Sequence, residues 1–281
     1  MSTSTQILTP DAAATERSRQ VPGGLVLSWR QFRFWFTLFH RTWRGTVLSA
    51  ILGPIMYLTA MGVGIGTLID QNHSLPGGVN YLSFIAPGVL AATAMQTGIG
   101  EGSFPVLGSI KWNGNFWAAV NTPQRPEDVM LGTAMQGLMR ILGLCVVFFA
   151  SMLGFGTVHS AWGLLALPVA LLTGAVFLFA MMSFSVTLDT DQGLTIVFRF
   201  VMTPLFLFSG TFFPWQQLPG WMHPIAFATP LWHGVELSRE LTLGTVDAGS
   251  ALIHVGYLLA ALALAYWLAR RNFRRRLYLD R

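Results

Sequence analysis

The chain has 281 residues, of which 53% are hydrophobic and 10% charged. Soluble domains carry roughly 25% charged residues, so a protein facing water on every side is excluded, and so is a disordered one; the single Cys145 excludes an internal disulfide framework. The formal charge of +5 suits a nucleic acid or an anionic membrane surface, and the positions of the arginines decide between them.

Residues 1–23 are rich in Ser, Thr and Ala and lack the apolar core of a cleavable signal peptide. They predict a disordered cytoplasmic tail. Over 24–44, Leu25, Trp29, Phe32, Phe36, Phe39 and Trp43 recur at spacings of three and four. Arg30, Arg33, Thr37, His40, Arg41 and Arg44 form a polar stripe beside them. Aromatics next to cations predict an amphipathic interfacial helix, with rings at headgroup level and guanidinium groups on lipid phosphates.

Six segments then reach the ~20 apolar residues that span a bilayer: 45–68, 81–104, 129–154, 162–186, 194–213 and 250–270. The fold expected over 45–270 is therefore an all-α, six-span integral membrane domain, followed by a basic cytoplasmic tail, 271–281. Fourteen of the 17 Lys and Arg lie before the first span, between spans two and three, or at and beyond the end of the last. Positive charge gathers on the cytoplasmic side, so both termini are expected there. The basic balance is topological, and nucleic acid is not an expected partner. Before the last span, 214–249 is broken by Pro and Gly, with Trp215 and Trp221 at its start and a short amphipathic helix from Leu231 to Leu241. This pattern predicts a re-entrant external hairpin, with a plain interfacial loop as the alternative.

Few residues suggest chemistry. A phosphate-binding loop needs Gly-Lys followed by Ser or Thr, but the one lysine, Lys111, lies between Ile110 and Trp112. ATP hydrolysis is not expected on this chain by that route. The six His show no metal-binding spacing, and no Ser sits in a Gly-x-Ser-x-Gly turn. Asp189 and Asp191 form an Asp-x-Asp pair able to chelate a cation in a turn, which leaves a metal-dependent membrane transferase as one alternative. Glu101, Arg140 and Arg199 fall within spans, where a central charge costs ~2.5–3.5 kcal/mol on insertion scales. Glu101 is placed to pair with Arg199 or with Arg140. Such a pair either braces the bundle or lines a pathway, so an ion-coupled carrier is a second alternative. The second cytoplasmic loop holds Lys111, Trp112, Phe116, Trp117, Thr122, Pro123 and Arg125. Its aromatics predict either a surface docked on another protein or a helix on the inner leaflet.

Two stretches carry a resemblance. The first opens Glu101-Gly102-Ser103-Phe104, continues Phe116-Trp117-Ala118-Ala119-Val120-Asn121-Thr122-Pro123 and ends Pro126-Glu127-Asp128. The second reads Phe208-Ser209-Gly210-Thr211-Phe212-Phe213-Pro214, then Leu218-Pro219, and closes Pro230-Leu231-Trp232-His233-Gly234-Val235-Glu236-Leu237-Ser238-Arg239. With the six-span layout, they resemble type-2 ATP-binding-cassette (ABC) exporter permeases, nearest to the nodulation lipo-oligosaccharide and daunorubicin-resistance permeases. The resemblance implies a half-transporter in a bacterial inner membrane. Two permease subunits, identical or homologous, would work with two separate ABC ATPase subunits, which bind ATP and Mg. Lys111, Trp112, Phe116, Thr122 and Pro123 would meet the ATPase. Pro214, Trp215, Trp221, Pro230 and His233 would line an external gate. The implied cargo is an amphiphile: a lipo-oligosaccharide, a lipid-linked glycan or a hydrophobic drug. No cofactor is expected on the chain itself.

Overall fold

A computed structural model describes residues 24–71, 79–212, 214–217 and 219–279. The tail predicted over 1–23 lies outside them. No strand occurs among the described residues. The chain opens with α1 (Gly24–Thr59), which continues through a π-helical turn (Ala60–Gly66) into α2 (Thr67–Gln71). The interfacial and first-span segments are thus one continuous helix with no break at residue 44. Leu27, Ser28 and Gln31 are the buried residues at its start. Trp29 and Phe36 are exposed and stack through Phe32 at 5.0 and 5.8 Å. The aromatic row therefore faces away from the bundle. The side chains of Leu25, Phe39 and Trp43 lie outside the described ones.

Next, α3 (Tyr81–Gly102) starts where Asn80 accepts from the Ser83 N–H and Asp70 of α2 accepts from the Tyr81 N–H. It breaks at Ser103, and Pro105 enters the first turn of the short α4 (Phe104–Lys111). Gly114, in the left-handed region at φ 64°, leads into α5 (Asn115–Val120). The long α6 (Pro126–Gly154) begins with Pro at its first position, and Asp128 reaches back to the Arg125 N–H at 3.0 Å. Proline and acids suit a helix start, where free N–H groups and the positive dipole end gather. This is the local reason for Pro126-Glu127-Asp128.

A 3-10 turn (Ala161–Leu165) precedes α7 (Ala166–Ser185). The fifth apolar segment is irregular: α8 (Gln192–Ile196), a π-helical stretch (Val197–Met202) and α9 (Thr203–Phe208). The hairpin follows, with α10 (His223–Phe227) and α11 (Pro230–Leu243). Finally, α12 (Ala248–Arg274) starts on an Asp247 cap and ends in a π-helical turn (Arg275–Leu279).

Five of these helical stretches are long and apolar enough to cross a membrane: Leu52–Asp70, Tyr81–Lys111, Pro126–Gly154, Ala161–Ser185 and Ala248–Tyr278. The fifth expected span, 194–213, is the shorter apolar stretch Gln192–Phe208. At 1.5 Å per residue it extends about 25 Å, against about 30 Å of hydrocarbon.

The bundle centres on α3, packed against α6, α7 and α11. Small residues make the α3–α7 crossing close. A Cβ on Gly98 would overlap the Gly174 carbonyl, and one on Gly174 would lie 2.9 Å from the Ala94 carbonyl oxygen. In a membrane, where lipid is as apolar as leucine, this backbone approach is what makes two helices prefer one another.

Candidate functional site

Three polar assemblies interrupt the apolar bundle. The first lies at the end formed by α4, α5, the turn after α7 and the C-terminal part of α12. Asp189 accepts from Lys111 Nζ and from Arg276 Nη2, both at 2.6 Å. These two cations hold its carboxyl below the usual carboxylate range. Glu127 lies 3.6 Å from Arg270 Nε and 3.4 Å from Arg274 Nε. Phe116 is fully buried against Phe273, with ring centroids 5.8 Å apart, and the Trp117 indole donates to the Ile110 carbonyl at 3.2 Å. Cations distant in sequence therefore converge on one end of the molecule, joined by two carboxylates.

This geometry divides the loop residues singled out above. Trp112 is 63% exposed, and Thr122 and Pro123 are exposed at the tip. Lys111 is committed to Asp189. Phe116 lies in the core beneath this surface, covered by Phe273. In the Asp-x-Asp pair, Asp189 is engaged by two cations, Lys111 and Arg276. Among the described residues, no three His, Cys, Asp or Glu side chains are placed to hold a metal.

The second assembly is the pair within the bundle. Arg140 Nη1 donates to Glu101 Oε1 at 2.5 Å, linking α6 to the end of α3. The Glu101 side chain is 17% exposed and that of Arg140 30%, so water screens the charges only weakly. Arg199 does not join them. It is exposed on the π-helical stretch and makes no ion pair among the described residues.

The third assembly is the hairpin at the other end. Gly210, at φ 77°, turns the chain after α9, and the Ser209 and Thr211 hydroxyls bond across it at 2.8 Å. Arg239 on α11 is buried. Its Nη2 donates to the Gly210 carbonyl at 2.7 Å, its Nε to the Phe84 carbonyl at 3.1 Å and its Nη1 to Glu236 at 2.8 Å. The guanidinium also lies 3.9 Å from the centre of the Phe84 ring. One side chain thus ties α11 to α3 and to the turn, joining the two ends of the second sequence stretch.

Next to this anchor, His233 Nε2 lies 3.0 Å from the Phe227 carbonyl and its Nδ1 2.8 Å from His254 Nδ1. A carbonyl only accepts, so neutral His233 carries its proton on Nε2 and accepts at Nδ1 from His254. Tyr257 stacks on His233 at 3.9 Å, and Trp232 lies edge-on at 4.9 Å. Pro214 is buried, and Trp215 packs edge-on against His223 and Phe227 at 5.4 and 5.3 Å. Trp221 is 71% exposed. Pro230 opens α11, where Thr229 caps the helix by accepting from Trp232 N–H. Between α9 and α10 is an apolar hollow of about 210 Å³, lined by Phe200, Pro204, Leu205, Phe208 and Ile225 among others.

A sequence profile described as ABC-2 type transporter matches residues 25–243. The chain belongs to that family. Nodulation protein J of Rhizobium leguminosarum bv. trifolii is 30% identical over 256 residues, covering 86% of this chain and 94% of that protein. Nodulation protein J of Rhizobium meliloti is 29% identical over 258 residues, with the same shares covered. The inner membrane transport permease YadH of Escherichia coli K12 is 25% identical over 232 residues, covering 82% and 87%. This ABC-2 permease is therefore a membrane transport subunit, and the matched region ends with α11, just past its anchor.

Arg239 was within reach of the sequence, as the one Lys or Arg in the stretch 214–249. The His233–His254 contact was not, since 21 residues separate two helices whose crossing no local pattern announces. Burial and the neighbouring His254 push His233 down to about 4, against an ordinary 6.5. The fold therefore favours the neutral ring, and its contribution is complete above pH 6.5. It falls as acid approaches pH 4 and protonates Nδ1, breaking the bond from His254. Melting temperature in detergent is expected to drop between pH 7 and 4.5, and His233→Gln to flatten that slope. An identical slope in the variant would assign it to other groups.

Proposed function

We propose that this ABC-2 permease is the membrane half of an exporter that moves an amphiphile out of the cytoplasmic leaflet of a bacterial inner membrane. Two permease copies, identical or homologous, assemble with two ATPase subunits that dock on the α4–α5 end and hold ATP and Mg. ATP-driven closure of those subunits rocks the two permeases apart. The hairpin, with Pro214, Trp215, Trp221, Pro230 and His233, closes the outer end of the path between them. A lipo-oligosaccharide, a lipid-linked glycan and a hydrophobic drug share the required chemistry, a polar head on an apolar body. The hollow between α9 and α10 suits the apolar part.

The observation that carries the reading is Trp112, a largely exposed indole on a mount braced by Asp189 and Phe273. Exposed aromatics on rigid supports are where interface energy concentrates. Capture of the ATPase subunit on tagged permease tests it. Trp112→Ala is expected to weaken capture about tenfold or more, as a central anchor would. Trp221→Ala, at the opposite end, should leave capture unchanged. Undiminished capture by Trp112→Ala would overturn the docking site.

A further inference from the structure

We propose that the C-terminal end of α12 carries a binding site for the headgroup of an anionic phospholipid. Trp267, Arg270, Arg271, Arg274 and Arg275 line an open groove of about 470 Å³. Four guanidinium groups share one neighbouring carboxylate, Glu127, which flanks Arg270 and Arg274. Arg271 and Arg275 have no acidic partner among the described residues. Arg271 lies 5.5 Å from the centre of the Trp267 ring.

The helix face leading to this groove identifies the ligand as a lipid. Ile253, Ala260, Leu264, Trp267, Arg271 and Arg275 are all exposed and follow one another at helical spacing. One stripe thus runs apolar along the span, passes an indole and ends in two cations. That order matches a phospholipid laid along the helix: acyl chains beside Ile253 and Leu264, the interface at Trp267, phosphate at Arg271 and Arg275. A free phosphate would have no use for the apolar stripe. A second copy of the chain is disfavoured by symmetry, because a two-fold contact through this face sets arginines against arginines. Juxtamembrane cations draw anionic lipid at about 1 kcal/mol each, so the unpartnered pair supplies the selectivity.

Native mass spectrometry of the purified permease, with phosphatidylglycerol or phosphatidylcholine added, tests the site. Wild type is expected to retain phosphatidylglycerol preferentially. Arg271→Gln/Arg275→Gln should bind it about 10- to 30-fold more weakly. Arg271→Lys/Arg275→Lys, which keeps the charge, should retain most of the preference and shows that the site tolerates substitution. Equal retention by wild type and the Gln pair would overturn the proposal. So would displacement of the lipid by millimolar inorganic phosphate. Loss of ATPase capture by the Gln pair with lipid retention unchanged would also overturn it, by assigning the groove to a protein.

Discussion

Arg239→Ala is expected to unseat the hairpin and lower stability by about 3–5 kcal/mol, the usual cost of removing one partner from a buried charge network. The residue is buried and holds three acceptors on three segments: Phe84 on α3, Gly210 in the turn after α9 and Glu236 on α11. Truncation strips the two carbonyls of these donors, isolates a partly buried carboxylate and empties the face of the Phe84 ring. Folding free energies are about 5–15 kcal/mol in total, so the loss is a large fraction. It should appear as a melting temperature lower by about 10 °C and a smaller folded fraction on size exclusion. Arg239→Lys should recover less than half. One ammonium can keep Glu236, but it lacks the forked geometry that reaches Phe84 and Gly210 together. Glu236→Gln should be milder, since both carbonyl bonds survive. An alanine variant melting within a degree or two of wild type would refute the anchor.

How far the fold was legible follows from what each signal measures. Apolar length located the helices well, because a bilayer imposes a minimum run and admits few charges. It overran the end of the fifth segment. The pair Phe212-Phe213 extends the apolar run to 213, yet the helix stops at Phe208. The left-handed Gly210 and the grip of Arg239 on its carbonyl end it, and hydropathy senses neither. At α1, composition changes near residue 44 while the helix continues. In the loop, an exposed and a buried aromatic look alike in sequence. Trp112 and Phe116 separate only because Phe273, 157 residues later, covers one of them. The intramembrane charges were legible as a set, since each is costly alone, but not as a pairing. Depth along the spans allowed Arg140 or Arg199, and the approach of α6 to α3 selects Arg140.

That pairing allows the two roles of Glu101 and Arg140 to be separated. Glu101→Leu alone removes the carboxylate that pairs with Arg140 and should cost about 2–3 kcal/mol, below the ~3–5 kcal/mol of a fully buried pair because both side chains retain some exposure. Arg140→Met alone strands the carboxylate, with a similar loss. The two together remove both charges and leave apolar groups of similar bulk, an exchange that is often neutral for buried pairs. The double variant is therefore expected to melt close to wild type, giving a coupling energy of about 4–6 kcal/mol across the cycle, the sum of the two single losses. The setting favours a brace. Glu101 lies against Gly137, where an added Cβ would sit 3.4 Å from its own, and Leu178 of α7 packs on the same glycine. Three helices thus meet at the pair. A brace makes a second demand: the double variant, once stable, should export at close to the wild-type rate in vesicles supplied with the ATPase. A variant that melts like wild type but fails to export would instead place the pair on the path of the substrate, since stability would then be intact and only the charges missing.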